Sequence, residues 1–453
     1  MGIGCRPSAP HWVGVMSSAL PRVHPLPPTT SGRLPWLGGG LGLLRNPTEF
    51  FVRQRERHGD TFIVDAFGHR LFCVFSPDGV RSLYAQPEEQ ASFGMATYTL
   101  IKAKVPIELL LGRRNHPKSL FGNAKVETYM DNLHQAVGQE IDRLGDTGKF
   151  EIFDEMRRLG HRLGLASWSG PEAASPRYIE RLIPLFDRLD SSESFVRPDR
   201  NVVTWATRKR SERRAMKGIE EILGEIIASR AGQPPVGDFL DQIYQSYADL
   251  PPDEQMTGTA RDVIVIHMGS QSNLYAALAW TFVNLLQYPD LLERVRQGDD
   301  MLLDRCANES IRMAQRSITM RQVLQPIEVD AGGGTYSLEP GTLLTTMLSV
   351  TNTSAAPGLE TFDPAHYVGR KLNDEVPLAT KELVSTFGHG PHSCPAARFS
   401  ISAIRTSIKL LLEAYEFTPS FTSAAPRTRQ IGGVARAAKP CLVLYSRRPD
   451  PLA

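Results

Sequence analysis

Residues 387–399 read Phe-Gly-His-Gly-Pro-His-Ser-Cys-Pro-Ala-Ala-Arg-Phe, and the single cysteine among them is Cys394. Glycines before it let the backbone bend, and Pro395 after it suits the first turn of a helix, because proline has no N–H to leave unpaired. The sulfur is therefore expected near a helix N-terminus, where the helix dipole and the free amides favour a thiolate. A thiolate is the state that a nucleophile or a metal ligand needs.

A lone thiolate of this kind suggests haem iron as its partner. The loop resembles that of the cytochrome P450 family, which reads Phe-Gly-x-Gly-x-His/Arg-x-Cys-x-Gly. The positions that match are Phe387, Gly388, Gly390, His392 and Cys394. Ala396 departs from the pattern, because the family usually has glycine there, and its methyl group restricts the backbone beside the ligand.

Two other interpretations of Cys394 remain open at this point. A free cysteine behaves most often as a small core residue without chemistry. A zinc site built from His389, His392 and Cys394 is the second, although no Cys-x-x-Cys pair or distant histidine pair completes the four ligands of a structural zinc. The resemblance favours haem over both.

Composition is that of a globular protein, with 41% hydrophobic and 22% charged residues in a chain of 453. This length is sufficient to bury a large cofactor. The formal net charge of +2 gives no reason to expect nucleic acid as a partner. The cysteines are scattered and odd in number, which favours a reducing compartment, the cytoplasm, over a disulfide framework.

Residues 1–32 are rich in proline, serine and threonine, which predicts a flexible amino-terminal arm ahead of one domain at 33–453. The longest apolar stretch of this arm, near Trp12, is shorter than the ~20 residues that span a bilayer, so we expect no transmembrane anchor.

The remaining pattern predicts mainly helices with minor sheets. Asn46 before Pro47 and Ser76 before Pro77 indicate two helix starts. Residues 251–287 are apolar on nearly every side, which is typical of a helix inside the protein. Predicted strands lie at 61–66, 70–75, 318–323, 327–329, 343–350 and 441–445, and a last helix at 395–414. The resemblance implies the single-domain cytochrome P450 fold, with haem between the long central helix and the cysteine loop.

Glu309 and Arg312 are three residues apart, close enough on one helical face for a bidentate ion pair. Glu-x-x-Arg alone is a weak signal, but a Phe-Asp-Pro-Ala-His-Tyr run at 362–367 lies between it and Cys394. That run resembles the family's Phe-x-Pro-x-Arg-Phe element, in which the arginine joins the Glu/Arg pair. His366 takes the place of this arginine, and we expect the three to form a structural trio.

Haem propionates require cations, and the resemblance implies His392 and Arg321 for this role. His116 and Lys118 are further candidates, although the family's Trp-x-x-x-Arg signature is absent around them. Phe387 is expected beside the haem as the first residue of the loop.

On the long helix, most of the family carries Ala/Gly-Gly-x-Asp/Glu-Thr, an acid and an alcohol that relay protons to oxygen. This chain has Gly-Ser-Gln-Ser-Asn at 269–273 instead. Asn273 forms hydrogen bonds but does not release a proton at neutral pH, so a relay has to use Ser270, Ser272 or water. Asn273 as a buried structural amide is the alternative.

A Ser/Thr-Gln-x-Asn stretch resembles the subgroup of bile-acid-forming sterol hydroxylases and prostacyclin synthase. It implies a monooxygenase that hydroxylates a sterol or other apolar lipid, with haem b, O2 and electrons from NAD(P)H through a reductase and a ferredoxin or flavodoxin. The alternative is an isomerase or peroxygenase that acts on a lipid hydroperoxide or endoperoxide without external electrons.

Overall fold

The computed structural model describes residues 25–30, 37–102, 104–115, 121, 126–190, 204, 206–232, 236–369 and 371–449. Most of the predicted flexible arm therefore lies outside the described residues. At its end, Thr29–Thr30 form a short strand, β1, that pairs in parallel with residues 63–64. This pairing ties the described end of the predicted arm to the sheet.

Helices dominate the described chain, and the prediction of a mainly helical protein with minor sheets is confirmed. The α-helices are α1 Gly40–Arg45, α2 Pro47–His58, α3 Pro77–Ala85, α4 Phe93–Ile101, α5 Val126–Leu144, α6 Ile152–Trp168, α7 Pro176–Leu189, α8 Arg210–Ser229, α9 Phe239–Gln245, α10 Pro252–Gln287, α11 Pro289–Arg296, α12 Asp300–Ala314, α13 Leu348–Ser354, α14 Leu372–Glu375 and α15 Ala397–Ala414.

The strands form three small sheets. They are β1 Thr29–Thr30, β2 Thr61–Ala66, β3 His69–Val74, β4 Ala91–Ser92, β5 Thr147–Glu151, β6 Ile318–Val323, β7 Ile327–Ala331, β8 Gly334–Leu338, β9 Leu343–Met347, β10 Tyr415–Pro419 and β11 Leu442–Arg447. The largest sheet has the order β1-β2-β3-β9-β6-β4, a second has the order β10-β11-β5, and β7 pairs with β8.

Local sequence sets the helix starts that were predicted. Asn46 caps α2 by accepting the N–H of Glu49 at 3.3 Å, and Ser76 caps α3 by accepting the N–H of Gly79 at 3.2 Å. In both helices a proline follows the cap, where its missing N–H costs nothing.

The long apolar segment forms α10, whose buried residues face several sides of the helix. It packs along α6, α12 and α8, and most of its second half is buried. A helix surrounded in this way is stabilised by burial of apolar surface rather than by an amphipathic stripe. Among the helices of the described ranges, none is both long and apolar enough to cross a membrane.

One predicted strand differs from the structure, and several observed strands were not predicted. The β-branched run 343–350 ends as a strand at Met347, and Leu348–Ser354 form the helix α13. The strands β5, β8 and β10 were not predicted. Each of these pairs with a neighbour in an antiparallel ladder, and short two-sided strands carry little signal of their own.

Asp262, in the first half of α10, holds the segment that leads towards residue 116. Its fully buried carboxylate accepts hydrogen bonds from Arg113 Nε at 2.8 Å, from Asn115 Nδ2 at 2.7 Å and from the Tyr247 hydroxyl at 2.7 Å. Burial and this bond raise the pKa of Tyr247 to about 12. Asp262 therefore compensates its lost hydration with partners from two other segments.

We predict that Asp262→Ala lowers the free energy of unfolding by about 3–5 kcal/mol, because the Arg113 charge and three donors lose a buried acceptor. Urea unfolding followed by circular dichroism measures the change. Asp253→Ala is the matched control, because this exposed aspartate lies in the first turn of the same helix. Its replacement should change the free energy of unfolding by less than about 1 kcal/mol. Equal losses in the two variants contradict the assignment.

Candidate functional site

Two glycines in the left-handed backbone region bend the loop before Cys394. Their φ angles are +77° at Gly388 and +61° at Gly390. A Cβ atom on Gly388 would lie 2.9 Å from the carbonyl oxygen of His392, so the loop closes only without a side chain there. The Cys394 N–H donates to the Phe387 carbonyl at 2.6 Å and completes the turn.

The helix that follows begins later than the sequence predicts. Pro395 and Ala396 form a turn, and α15 starts at Ala397. Burial raises the pKa of the Cys394 thiol, and a hydrogen bond from the Ala396 backbone lowers it by less. Desolvation therefore opposes the thiolate that the helix end is expected to favour, and a bound cation would supply the missing charge.

Cys394 faces a cavity of about 440 Å³ between the cysteine loop and α10. Its walls come from α4, α10, β6, the loop and the start of α15, and they are mainly apolar. The residues that line it include Phe93, Ala96, Leu100, Val265, Ile266, Leu274, Ala277, Ile311, Ile318, Met320, Leu348, Phe387, Pro395, Phe399 and Val434. No Asp or Glu is among the lining residues within the described ranges.

Arg321 and His392, the two predicted propionate cations, both line this cavity. Arg321 is almost fully buried, which lowers its pKa, and it donates to the carbonyls of Ala91 at 3.0 Å and Tyr84 at 3.3 Å. His116 and Lys118, the other two candidates, lie outside the described residues.

Glu88 lies between these two cations and was missed by sequence reasoning. One of its carboxylate oxygens is 3.1 Å from His392 Nε2 and 3.7 Å from Arg321 Nη1. Partial burial raises its pKa, but bonds from Ser92 and two backbone N–H groups and the charge of His392 hold it below its usual range. No short motif marks this residue, because its partners are distant in sequence.

The zinc alternative has no geometric support. His389 hydrogen-bonds the carbonyl of Val384 at 2.9 Å, and its ring packs on Tyr84 with centroids 5.0 Å apart. The His392 ring turns to Glu88 and stacks on Phe93. Within the described ranges, no group of three or more His, Cys, Asp or Glu side chains converges to hold a metal ion.

Glu309, Arg312 and His366 meet behind the cysteine loop. Arg312 donates to both oxygens of Glu309, at 2.7 and 2.6 Å, and both side chains have no exposed surface. His366 Nδ1 lies 3.0 Å from the same carboxylate. Arg312 also donates to the carbonyls of Asn352 at 2.6 Å and Leu359 at 2.7 Å, so its charge is satisfied on several sides.

Asn352 connects this trio to the cysteine loop, a link that sequence reasoning missed. Its fully buried amide donates to the carbonyls of Arg312 at 3.1 Å and Ser385 at 3.0 Å, and it accepts the Ser385 N–H at 2.8 Å. The Ser385 hydroxyl in turn accepts the N–H of Gly388 at 2.9 Å. A continuous chain of hydrogen bonds thus joins the buried ion pair to the turn that presents Cys394.

Of the three α10 residues predicted to act on oxygen, two line the cavity and one does not. Ser270 and Asn273 line it, whereas Ser272 does not. The Ser270 hydroxyl donates to the carbonyl of His267 at 2.9 Å. Asn273 Oδ1 accepts the N–H of Val434 at 3.0 Å, and its Nδ2 donates to the Gly269 carbonyl at 3.4 Å, which leaves one Nδ2 hydrogen to donate.

The neighbouring glycine makes the Asn273 contact possible. A Cβ on Gly433 would collide with Asn273 Oδ1. This pairing of α10 with the loop at 430–434 closes one wall of the cavity, and no sequence spacing indicates it.

The residues present fit an iron porphyrin. The mainly apolar cavity is lined by one thiol and two cationic side chains and lies beside a glycine-containing loop, and these are the groups that such a cofactor requires. Cys394 would hold the iron, and Arg321 and His392 would bind the propionates.

A family model described as Cytochrome P450 matches residues 194–445. Among curated proteins, human 24-hydroxycholesterol 7-alpha-hydroxylase is 22% identical over 461 residues, covering 93% of this chain and 94% of that protein. Mouse lanosterol 14-alpha demethylase is 24% identical over 433 residues, covering 88% of this chain and 83% of that protein.

We predict that Glu309→Gln lowers the free energy of unfolding by about 3–5 kcal/mol, because it leaves the buried Arg312 charge without its carboxylate. Urea unfolding measures this. Glu49→Gln is the control, since Glu49 pairs with Arg53 while both side chains are about half exposed, and it changes stability by less than about 1 kcal/mol. A loss in Glu309→Gln no larger than the control's overturns the prediction.

Proposed function

The chain belongs to the cytochrome P450 family and is a monooxygenase of that family with a haem-iron cofactor; on this premise we propose that it hydroxylates a sterol or another apolar lipid. The observation that carries the proposal is the position of Cys394, whose sulfur faces an apolar cavity closed on the opposite side by α10. An apolar wall with few polar groups suits a substrate that is itself mostly hydrocarbon.

The names of the relatives support the substrate class. They act on 24-hydroxycholesterol and on lanosterol, two sterols, and the alignments cover most of this chain. We propose haem b as the cofactor, with Cys394 as its axial ligand. Bound there, the haem supplies the iron chemistry by which the family cleaves O2.

The side chains of this chain have separate roles in the proposed reaction. Arg321 and His392 bind the propionates and fix the cofactor's orientation. Asn273 donates from Nδ2, because its oxygen is engaged by Val434, so it positions an oxygen atom without supplying a proton. Ser270 is the hydroxyl on the cavity wall, and we assign it to proton delivery together with water. Ser272 does not reach the cavity wall and therefore contributes less.

The electrons are proposed to come from NAD(P)H through a reductase and a ferredoxin or flavodoxin. The basic residues at 208–214 are partly engaged within the chain. Lys209 Nζ donates to the carbonyls of Lys102 at 2.7 Å and Val105 at 2.9 Å, and Arg213 pairs with Glu108.

A second function is favoured by one observation. The described cavity wall has no carboxylate, and Asn273 stands where most of the family has an acid and alcohol pair. Isomerisation of a lipid hydroperoxide or endoperoxide needs neither external electrons nor protons, so it is the alternative activity of this site.

The test begins with the reduced carbonyl spectrum of the purified protein. We expect the absorption band of thiolate-ligated haem in the wild type and its loss in Cys394→Ser, because an alcohol oxygen is a poor replacement for the thiolate. Cys441→Ser, at another buried cysteine, should keep the band. A wild-type protein that binds no haem overturns the proposal.

Turnover then separates the two activities. Cholesterol and lanosterol are titrated for a spin shift of the iron and incubated with NADPH, a ferredoxin reductase and a ferredoxin. Hydroxylated product that requires NADPH supports the monooxygenase. Conversion of a fatty-acid hydroperoxide in the absence of any reductant, without sterol turnover, supports the alternative.

A further inference from the structure

Glu88, in the turn between α3 and β4, is a charged side chain that the proposed reaction does not use. One of its carboxylate oxygens lies 3.1 Å from His392 Nε2 and 3.7 Å from Arg321 Nη1, the two side chains assigned to the haem propionates. An acid of the protein itself thus pairs with the groups that have to bind two carboxylates of the cofactor. Three carboxylates then share two partners.

The position of Glu88 is fixed from the side of α4, independently of these two partners. Its Oε1 accepts the Ser92 hydroxyl at 2.6 Å and the Gly94 N–H at 3.0 Å, and its Oε2 accepts the Phe93 N–H at 2.9 Å. These amides belong to the start of α4, where N–H groups have no partner inside the helix and favour a negative charge. Glu88 is therefore held in place whatever binds at His392.

The carboxylate of Glu88 is ionised at neutral pH. Partial burial raises its pKa, but the bonds from Ser92, Gly94 and Phe93 and the neighbouring His392 lower it more, so the net shift is downward. The Glu88 side chain is 45% exposed, so water screens its charge in part. A fixed negative charge therefore lies within hydrogen-bonding distance of His392.

The two partners have few donors to spare. An imidazole with a single hydrogen has one donor, so when Nε2 of His392 donates to Glu88 its Nδ1 can only accept. Arg321 already donates to the carbonyls of Ala91 at 3.0 Å and Tyr84 at 3.3 Å. Arg321 and His392 line the haem cavity, whereas Glu88 borders a second cavity of about 720 Å³ that shares His392 with the first. Glu88 thus draws on these donors from outside the haem cavity.

We propose that Glu88 competes with the haem propionates for His392 and Arg321 and so sets how tightly the protein retains its haem. The inference rests on the proposed function only in that haem is the cofactor of this cavity. A propionate that binds there meets the negative charge of Glu88 and has to share its donors, and both effects weaken the hold on the cofactor. Replacing this charge with a neutral group of the same shape therefore strengthens that hold.

A purely structural role for Glu88 predicts the opposite effect. If the carboxylate serves only to cap α4 and to orient His392, its loss loosens Phe93, which lines the haem cavity and stacks on the His392 ring with centroids 5.0 Å apart. Haem then leaves faster. The direction of the change thus separates competition from support.

The first experiment compares the rate at which haem leaves the full chain in the wild type and in Glu88→Gln. Ferric haem-loaded protein is mixed with excess apomyoglobin at about pH 7.5, where carboxylates are ionised, and the transfer of haem is followed by absorption. We expect haem loss to be about two- to fivefold slower in Glu88→Gln, the effect of one half-exposed charge. A rate equal to or faster than that of the wild type overturns the inference.

Glu88→Ala is tested in parallel, because the amide of glutamine has to fit among the amides of α4. Alanine removes the same charge without adding a donor, so haem loss should again be slower than in the wild type. Faster loss in both variants supports the structural role and overturns the inference.

The second experiment removes the competing charges from the cofactor instead of from the protein. The full chain is loaded with the dimethyl ester of the same haem, whose propionates carry no charge. Glu88→Gln should then retain the cofactor no better than the wild type, because no carboxylate of the cofactor is left to repel. Loss of the ester that is slowed by the same factor as loss of haem shows an effect on packing and contradicts the inference.

Glu89→Gln is the matched control, at the next residue of the same turn. Glu89 is exposed, and it makes no hydrogen bond or ion pair among the contacts of the described residues. Its substitution removes one negative charge from the turn without touching His392 or Arg321, so haem loss should be as in the wild type. A slowing as large as that in Glu88→Gln means that net charge alone sets the rate, which contradicts the role of Glu88.

The two proposals fail separately. Haem loss that is slowed as expected in Glu88→Gln, together with no conversion of any sterol, defeats the proposed substrate and leaves the competition of Glu88 in place. A protein with the thiolate-ligated spectrum whose haem loss is unchanged in Glu88→Gln defeats only the inference about Glu88. A protein that binds no haem defeats both.

Discussion

The buried pair of Glu309 and Arg312 is the interaction on which the site depends. Two charges with no exposed surface are stable only if every hydrogen-bonding direction is filled, and here His366 and several backbone carbonyls fill them. The same network reaches Asn352, Ser385 and finally the N–H of Gly388. The cysteine turn is therefore held by a rigid polar scaffold behind it rather than by its own sequence alone.

Much of the fold and part of the candidate site could be predicted from the sequence, because the features responsible are local. Three of these features have a recognisable pattern within a few residues of sequence. They are the glycines with positive φ before Cys394, the helix caps at Asn46 and Ser76, and the apolar segment of α10. The helix-rich class and the long buried helix were predicted for that reason. Glu309 and Arg312 were found because three-residue spacing places them on one helical face.

The remaining features of the site depend on tertiary contacts, which no local sequence pattern indicates. Glu88 acquires its role from His392 and Arg321, which are far away in sequence, and Asn273 meets Val434 only because Gly433 leaves space. The residues 348–350 read as a strand, yet packing makes them the start of a helix. The thiol of Cys394 shows the same limit, because the sequence indicates the nearby helix end but not how deeply the sulfur is buried.

The helix α10 carries several of these contacts on different sides. Asp262 faces the segment at 113–115, His267 faces α6, and Asn273 faces the loop at 430–434. Each residue of an α-helix advances by about 100°, so the loss or gain of one residue in α10 would turn every later side chain away from its partner by that angle. A change in the length of this helix would therefore disturb all of these contacts at once, whereas a single replacement disturbs only its own.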